Sequence, residues 1–163
     1  MNIIFLDVDG VLNSVNKLIE VYNKTHKPHS LYNYPFDERC LMNLQLLVRE
    51  TNSKLVIISS WRKSIDGRSK LMRMLKEYNL EHEVIGFTSN LNTKVEEIKE
   101  YLSKLDYSVN FIILDDKSNM EDLSPYLVNI NSQVGLTEEN VNEAILKLNN
   151  SFVRKLNNPI TYK

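Results

Sequence analysis

The sequence contains little that would place the protein in a specialised compartment. Cys40 is its only cysteine, which excludes an internal disulfide. Its apolar runs are short, and none approaches the ~20 residues that a membrane-spanning helix needs. The N-terminal apolar stretch is interrupted by Asp7 and Asp9, which argues against a signal peptide. A reducing cytoplasm is therefore the expected location.

The chain also lacks an excess of positive charge. Its 20 lysines and arginines are balanced by 21 aspartates and glutamates, which gives a formal net charge of −1. This balance argues against a protein that depends on general electrostatic attraction to nucleic acid or to an anionic membrane surface. One local basic patch around a phosphate remains compatible with it.

The composition is typical of a globular domain. The 163 residues are 42% hydrophobic and 25% charged, and they contain no internal repeat and no low-complexity linker. We predict a single domain over residues 1–163. Residues 14–36 are expected to insert a helix and a loop into this domain, and residues 150–163 to form a polar C-terminal tail.

Short apolar segments alternate with amphipathic segments along the chain. The apolar segments, predicted as strands, are residues 3–6, 54–58, 83–87, 110–114 and 126–130. The intervening segments repeat apolar residues at helical spacing, and Thr93-x-x-Glu96 is a capping box that begins one of the helices. This alternation predicts an α/β fold with three layers, in which helices flank a central parallel sheet in a Rossmann-like arrangement.

The most informative stretch is residues 1–13, in which four apolar residues run directly into Asp7, Asp9 and Gly10. In extended backbone, side chains at i and i+2 point to the same side. The two acids are therefore expected to converge where the strand ends, and Gly10 allows a sharp turn there. Close carboxylates need a cation, a shared proton or a charged partner. A solvated turn is the alternative; an EF-hand is excluded because Leu18 stands where the pattern requires Glu.

Polar residues directly follow three of the predicted strands. They are Asp7 and Asp9, Ser59 and Ser60, and Asp115 and Asp116, and Lys94 lies at the start of a predicted helix. The carboxyl ends of parallel strands share one edge of the sheet, where ligands bind. Oxygen ligands suit Mg²⁺, and Mg²⁺ with a lysine and a hydroxyl can hold a phosphoryl group. A carboxylate can attack that group to form an aspartyl-phosphate.

Four of these features resemble, in the same order, the motifs of the haloacid dehalogenase (HAD) superfamily. They are Asp7-Val-Asp9-Gly10-Val, the strand ending at Ser59, Lys94, and Asp115-Asp116. The resemblance extends from Asn2 to about Asp116. The strings Asp-Val-Asp-Gly-Val-Leu-Asn, Ser-Ser-Trp-Arg, Leu-Asp-Asp and Gly-Leu-Thr are similar to the small branch of the superfamily that is found as domains in RNA-repair proteins.

The resemblance implies a Mg²⁺-dependent phosphatase that acts on phosphate monoesters through an aspartyl-phosphate. Asp7 would be the nucleophile, and Asp9 would protonate the leaving oxygen and then activate the attacking water. An acid two residues after the nucleophile favours a phosphatase over a dehalogenase, because a leaving alkoxide needs a proton. Ser59 and Lys94 would complete the catalytic set by contacting the phosphoryl oxygens.

The resemblance also implies residues that bind the phosphate and the metal. The phosphate would contact Gly10, Ser59, Ser60, Arg62 and Lys94. The metal would be held by Asp7, by Asp9 through its backbone carbonyl, and by Asp115 and Asp116. Either Ser59 or Ser60 contacts the phosphate, with Ser59 favoured, and Arg62 either binds phosphate or pairs with a surface acid. Trp61 is expected mainly to pack.

The spacing of the motifs leaves no room for a large cap over the site, because Ser59 and Lys94 are 35 positions apart. An open site suits a bulky phosphorylated substrate, so a polynucleotide-end or nucleotide phosphatase is an alternative function. A non-catalytic phosphate-binding module is a second alternative, and the acid at Asp9 counts against it. Residues 24–29 are a candidate basic flap over the site.

Overall fold

The computed structural model describes residues 1–30, 34–106 and 108–157, with backbone alone for residues 151–157. These residues form a five-stranded sheet in which all neighbouring strands are parallel. Its strands are β1 (Asn2–Leu6), β2 (Ser53–Ile57), β3 (Val84–Phe87), β4 (Asn110–Asp115) and β5 (Leu127–Asn129). Their order across the sheet is β3-β2-β1-β4-β5. The predicted α/β fold with a central parallel sheet is confirmed.

Helices cover both faces of this sheet. They are α1 (Val15–Thr25), α2 (Glu38–Thr51), α3 (Ile65–Glu77), α4 (Lys94–Ser103) and α5 (Glu138–Asn157). Buried side chains of α2, α3 and α5 pack with one set of strand residues, which includes Ile4, Leu55 and Ile112. Buried side chains of α4 pack with the alternate set, which includes Phe5 and Ile113. The two cores on opposite faces give the three layers that the sequence predicts.

The position of β1 at the centre of the sheet determines where the polar residues emerge. Residues 3–6 are fully buried, as expected for a strand that is apolar on both faces. Leu6 lies opposite Ile57 of β2 and Leu114 of β4. The residues that follow these three positions, Asp7, Ile58 and Asp115, therefore come out together at one edge of the sheet.

Capping side chains determine where two of the helices begin. Asp37 accepts a hydrogen bond from the backbone N–H of Arg39 at the start of α2. Thr93 and Glu96 make both bonds of the predicted capping box, so α4 begins at Lys94. The capping box thereby places the side chain of Lys94 in the first turn of its helix.

One helix is largely exposed, and another is longer than the sequence predicts. In α1 no residue is fully buried, and Ile19 and Tyr22 of its apolar face are 53% and 48% exposed. Helix α5 extends to Asn157, whereas the sequence pattern indicated a polar tail from residue 150. Residues 158–163 of that tail lie outside the described residues. No helix in the described part of the chain is both long and apolar enough to cross a membrane.

Candidate active site

Asp7 and Asp115 meet at the carboxyl ends of the central strands. Asp7 follows β1, and its backbone N–H donates to the carbonyl of Leu114 at 3.0 Å; Asp115 is the last residue of β4. Lys94 lies between the two carboxylates, with its Nζ 2.9 Å from Asp7 Oδ2 and 2.5 Å from Asp115 Oδ2. Asp7 is 6% exposed and Asp115 is fully buried. The fold thus brings together three residues that lie far apart in the sequence.

Asp116 adds a third carboxylate to this group. Ligand oxygens of Asp7, Asp115 and Asp116 all lie within 4.8 Å of one another, and we call these residues the carboxylate cluster. Gly10 has a φ of +77°, and a Cβ on it would lie 2.6 Å from Asp116 Oδ2. The lack of a side chain at residue 10 therefore makes space for Asp116 beside the other two acids. A donor set of carboxylate oxygens suits a hard divalent cation such as Mg²⁺.

The electrostatics of the carboxylate cluster favour binding of a cation. Burial raises the pKa of Asp7, and the charge of Asp115 raises it further, while Lys94 opposes the rise. Burial likewise raises the pKa of Asp115 against the opposing effect of Lys94. Burial lowers the pKa of Lys94, but the two carboxylates outweigh this effect and raise it overall. One ammonium group therefore faces three carboxylates, and a divalent cation would relieve the remaining repulsion.

The side chain of Asp9 has a separate set of partners. Trp61 Nε1 donates to both carboxylate oxygens of Asp9, at 3.1 and 3.2 Å, and Asn13 Nδ2 donates to one of them at 3.0 Å. The hydroxyl of Tyr34 is also hydrogen-bonded to Asp9, and burial together with the charge of Asp9 raises the pKa of Tyr34 to about 12. Three uncharged groups therefore hold the Asp9 carboxylate in one orientation.

The two acids of the first motif consequently serve different parts of the site. The prediction that their side chains converge assumed extended backbone through Asp9, but β1 ends at Leu6. The backbone N–H groups of Val11 and Leu12 both donate to the carbonyl of Val8, so the chain turns before Asp9 can align with the strand. The side chain of Asp9 stands outside the carboxylate cluster, and metal binding through its backbone carbonyl stays a prediction.

The two serines after β2 lie in different environments. Ser59 is fully buried, and its hydroxyl accepts a hydrogen bond from the backbone N–H of Trp61 at 3.4 Å. Ser60 is exposed and lines a cleft of about 420 Å³ that Lys94 also lines. A phosphate contact by either serine stays a prediction.

Arg62 is not available to clamp a phosphate, which corrects one of the sequence assignments. Its side chain is 3% exposed, and the guanidinium lies 2.6 Å from Glu97 Oε1, which is also buried. Its N–H groups donate to four backbone carbonyls in addition to this carboxylate: those of Ile58, Ser59, Thr88 and Ser89. A guanidinium has five N–H donors, so all of them are used inside the protein. Arg62 therefore fastens the end of β2 to the segment after β3.

The sequence analysis missed the residues that hold Asp9. The ring of Trp61 packs against Tyr34 and Phe36, with centroids 5.2 and 5.4 Å away, as its packing interpretation predicts. Its N–H group, however, points to Asp9. Asn13 lies only four positions after Asp9. This short spacing is the one feature of the sequence that indicates a contact between Asp9 and a residue that holds it. Tyr34 and Trp61 come from distant segments, which only the fold brings together.

The candidate flap, residues 24–29, makes local contacts with α1. Lys24 pairs with Glu20 at 2.8 Å, and His29 Nε2 lies within 2.9 Å of the carbonyl oxygen of Leu18. Further along the chain, Tyr34 contacts Asp9 of the site. Residues 31–33 lie outside the described residues, and a role for residues 24–29 as a basic flap stays a prediction.

The buried pair formed by Arg62 and Glu97 predicts a large effect on stability. Arg62→Met is expected to lower the free energy of unfolding by about 3–5 kcal/mol, because it leaves the Glu97 charge buried without a partner. Urea unfolding measures this loss. Arg49→Met is the matched control, since it removes an exposed pair with Glu50 and should cost less than about 1 kcal/mol. Similar losses in the two variants would contradict the assigned role of Arg62.

The raised pKa values of Asp7 and Asp115 predict that stability depends on pH and on divalent cations. When the pKa of a carboxyl is higher in the folded state than in the unfolded state, the free energy of unfolding decreases as the pH rises from the unfolded pKa through the folded pKa. Without a divalent cation, Tm should therefore fall as the pH rises from the acidic range through these raised values. At about 100 times its dissociation constant, Mg²⁺ should add about 2.7 kcal/mol of stability at neutral pH.

The variant Asp115→Asn tests this explanation by thermal unfolding with and without Mg²⁺. It should reduce the loss of stability with rising pH and should remove most of the stabilisation by Mg²⁺. Asp106→Asn, in the exposed turn between α4 and β4, is the matched control and should leave both effects intact. An unchanged response to Mg²⁺ in Asp115→Asn would contradict a cation site at the carboxylate cluster.

Comparison with known families shows which family the chain belongs to. Residues 3–141 match the family described as "HAD domain in Swiss Army Knife RNA repair proteins". The matched segment includes β2 to β5, all of β1 except Asn2, and all of the candidate site residues. Comparison with curated proteins finds no match. Because the family match covers well over half of the chain, the protein belongs to this family of HAD domains.

Proposed function

We propose that the protein is a Mg²⁺-dependent phosphatase that hydrolyses phosphate monoesters, with Asp7 as the nucleophile and Asp9 as the general acid and base. Membership of the HAD family supports phosphatase-type chemistry in general. The observation that carries the proposal is the placement of Lys94 between Asp7 and Asp115 at the edge of the sheet. This arrangement puts a fixed positive charge beside the proposed nucleophile, where phosphoryl oxygens need it.

The first half of the proposed reaction transfers the phosphoryl group to the enzyme. An oxygen of Asp7 attacks phosphorus, and the bond between phosphorus and the ester oxygen breaks. Asp9 gives its proton to that oxygen, so the product leaves as an alcohol. Lys94 offsets negative charge on the phosphoryl oxygens, and the Ser59 hydroxyl is the proposed additional donor to them.

The second half of the proposed reaction returns the enzyme to its starting state. Asp9, which is now a carboxylate, takes a proton from a water molecule as the water oxygen attacks phosphorus. The bond between phosphorus and Asp7 breaks, so inorganic phosphate leaves and the Asp7 carboxylate is restored. One water molecule is consumed in each cycle, and Asp9 regains the proton that it gave in the first half.

The size of the barrier explains why several groups are needed. Enzymatic hydrolysis of phosphate monoesters requires an acceleration of up to ~10²¹-fold, whereas general acid–base catalysis alone contributes ~10²–10⁴-fold. The carboxylate cluster fits Mg²⁺, which would supply electrostatic stabilisation of the phosphoryl oxygens when bound. The proposed nucleophile, the cation and Lys94 must together provide the larger part of the acceleration.

A narrower substrate class is favoured by the family itself. Its description refers to domains in RNA repair proteins, which makes a polynucleotide end the second candidate substrate for this chain.

A non-catalytic phosphate-binding module is less favoured. Such a module needs no proton donor, yet Trp61, Asn13 and Tyr34 all hold the carboxylate of Asp9.

Hydrolysis of aryl and alkyl phosphates tests the proposed roles of the two acids. With Mg²⁺, the wild type should release phosphate from both classes, and Asp7→Asn should be inactive because it removes the nucleophile. Asp9→Asn should lower kcat on an alkyl phosphate by about 10²–10⁴-fold. Its effect on the single-turnover release of p-nitrophenol from p-nitrophenyl phosphate should be smaller, because that leaving group departs more readily without a proton.

Asp106→Asn is again the matched control, and it should retain the activity of the wild type. Activity that survives Asp7→Asn would exclude the covalent mechanism. In a single turnover, release of the alcohol or phenol reports the first half of the reaction alone, so an equal loss of that rate on aryl and alkyl phosphates in Asp9→Asn would exclude Asp9 as the donor to the leaving group.

The hydrogen bonds from Trp61 to Asp9 predict a positioning effect. Trp61→Phe keeps an aromatic ring beside Tyr34 and Phe36 but removes the N–H donor, so kcat on an alkyl phosphate should fall about tenfold, the effect of losing ~1.4 kcal/mol. In the Asp9→Asn background the same change should have little further effect, because interacting residues are not additive. Equal factors in the two backgrounds would show that Trp61 acts independently of Asp9.

A further inference from the structure

A cleft of about 420 Å³ opens beside the carboxylate cluster. Its walls come from three segments: the short helix Ser60–Lys63 after β2, residues 91–95 around the start of α4, and residues 117–121 after β4. Because β2 and β4 lie on either side of β1, the first and third of these segments flank the strand that ends at Asp7. A cleft of this size has room for a leaving group as well as an anionic group.

The charges along this cleft are mainly positive. Lys63 and Lys117 are exposed, and neither forms an ion pair with any residue in the described part of the chain. Of the two acids that line the cleft, Glu97 is buried, pairs with Arg62 and accepts a hydrogen bond from the backbone N–H of Leu91. Glu121 is the other acid. The lining charges without an ion-pair partner in the described part of the chain are therefore two lysines, Lys63 and Lys117, and one exposed acid, Glu121.

Lys94 connects the cleft to the candidate active site. Its side chain lines the cleft and also contacts both buried carboxylates, Asp7 and Asp115. A phosphoryl group positioned at Lys94 would therefore lie next to the cleft. Its ester oxygen must face Asp9, which is not among the residues that line the cleft, so a more distant part of the leaving group is the part that would enter it. Ser60, Asn92 and Asn119 add uncharged polar side chains to the walls, which suits a hydrated and polar leaving group.

We propose that Lys63 and Lys117 bind a second phosphate, which is carried by the leaving group of the substrate. This inference rests on the phosphatase function proposed above and specifies its substrate class. The preferred substrates are esters whose alcohol portion bears its own phosphate or phosphodiester. Both sources present the same chemistry, a second anionic phosphate near the reacting one, which unpaired lysines recognise by charge-assisted hydrogen bonds.

Substrates that differ by one phosphate test this inference. We expect kcat/KM for adenosine 3′,5′-bisphosphate to exceed that for the 3′- and 5′-monophosphates at low salt. A trinucleotide with a terminal phosphate provides the phosphodiester arm of the comparison. The preference should decline as the salt concentration rises, because exposed charges are screened. The higher of the two values, for the bisphosphate or for the trinucleotide, identifies the source of the second phosphate.

Lysine variants connect this preference to the cleft. Lys63→Met and Lys117→Met should each lower the ratio of kcat/KM for the bisphosphate to that for phenyl phosphate by about tenfold, as expected for one lost charged contact. Lys117→Met keeps the backbone N–H that donates to Asp115. Lys76→Met, at the exposed end of α3, is the matched control and should leave the ratio unchanged.

The possible failures are distinguishable. If the wild type hydrolyses phenyl phosphate but shows no preference for substrates with a second phosphate, the proposed binding of that phosphate by Lys63 and Lys117 is wrong. A preference that survives both lysine variants would also overturn it. A wild type that hydrolyses none of these esters with Mg²⁺ would instead overturn the proposed phosphatase function on which the subsite rests.

Discussion

The contact of one ammonium group with two buried carboxylates is the interaction on which the site depends. Lys94 offsets part of the repulsion between Asp7 and Asp115, which would otherwise be expensive at such low exposure. The contact requires β1 and β4 to be neighbours in register, so that both acids leave the sheet together. It also requires α4 to begin at a fixed residue, which the capping box provides. Sheet pairing and helix capping thus determine the local charge balance.

The turn at Gly10 separates the two acids of the first motif into different electrostatic environments. Asp7 lies among charges, whereas Asp9 is held by an indole, an amide and a phenol. Uncharged donors orient a carboxylate without placing a positive charge next to it. This division fits the proposed roles, in which Asp7 is a nucleophile beside a cation and Asp9 exchanges protons. The two roles require different surroundings.

The sequence was sufficient for the fold and for the sheet edge at which the candidate site residues lie, because both depend on local patterns. Apolar runs predicted the strands, and the polar residues directly after them predicted the carboxyl edge of the sheet at which Asp7 and Asp115 meet. It was insufficient for Arg62 and Asp9, because their partners are distant in the chain. The guanidinium of Arg62 bonds mostly to backbone carbonyls, which no side-chain pattern reveals. Helix α5 also continues through a polar segment whose composition indicated a tail.

The requirement for glycine at residue 10 affects how related domains should be compared. A methyl group there would meet the carboxylate of Asp116 at 2.6 Å, and the backbone conformation itself is unfavourable for other residues. One substitution at this position is thus expected to disable the proposed cation site while every acidic residue stays in the sequence. Relatives that retain the acids but have lost this glycine are therefore candidates for inactive descendants, which a search for acidic motifs alone would misclassify as enzymes.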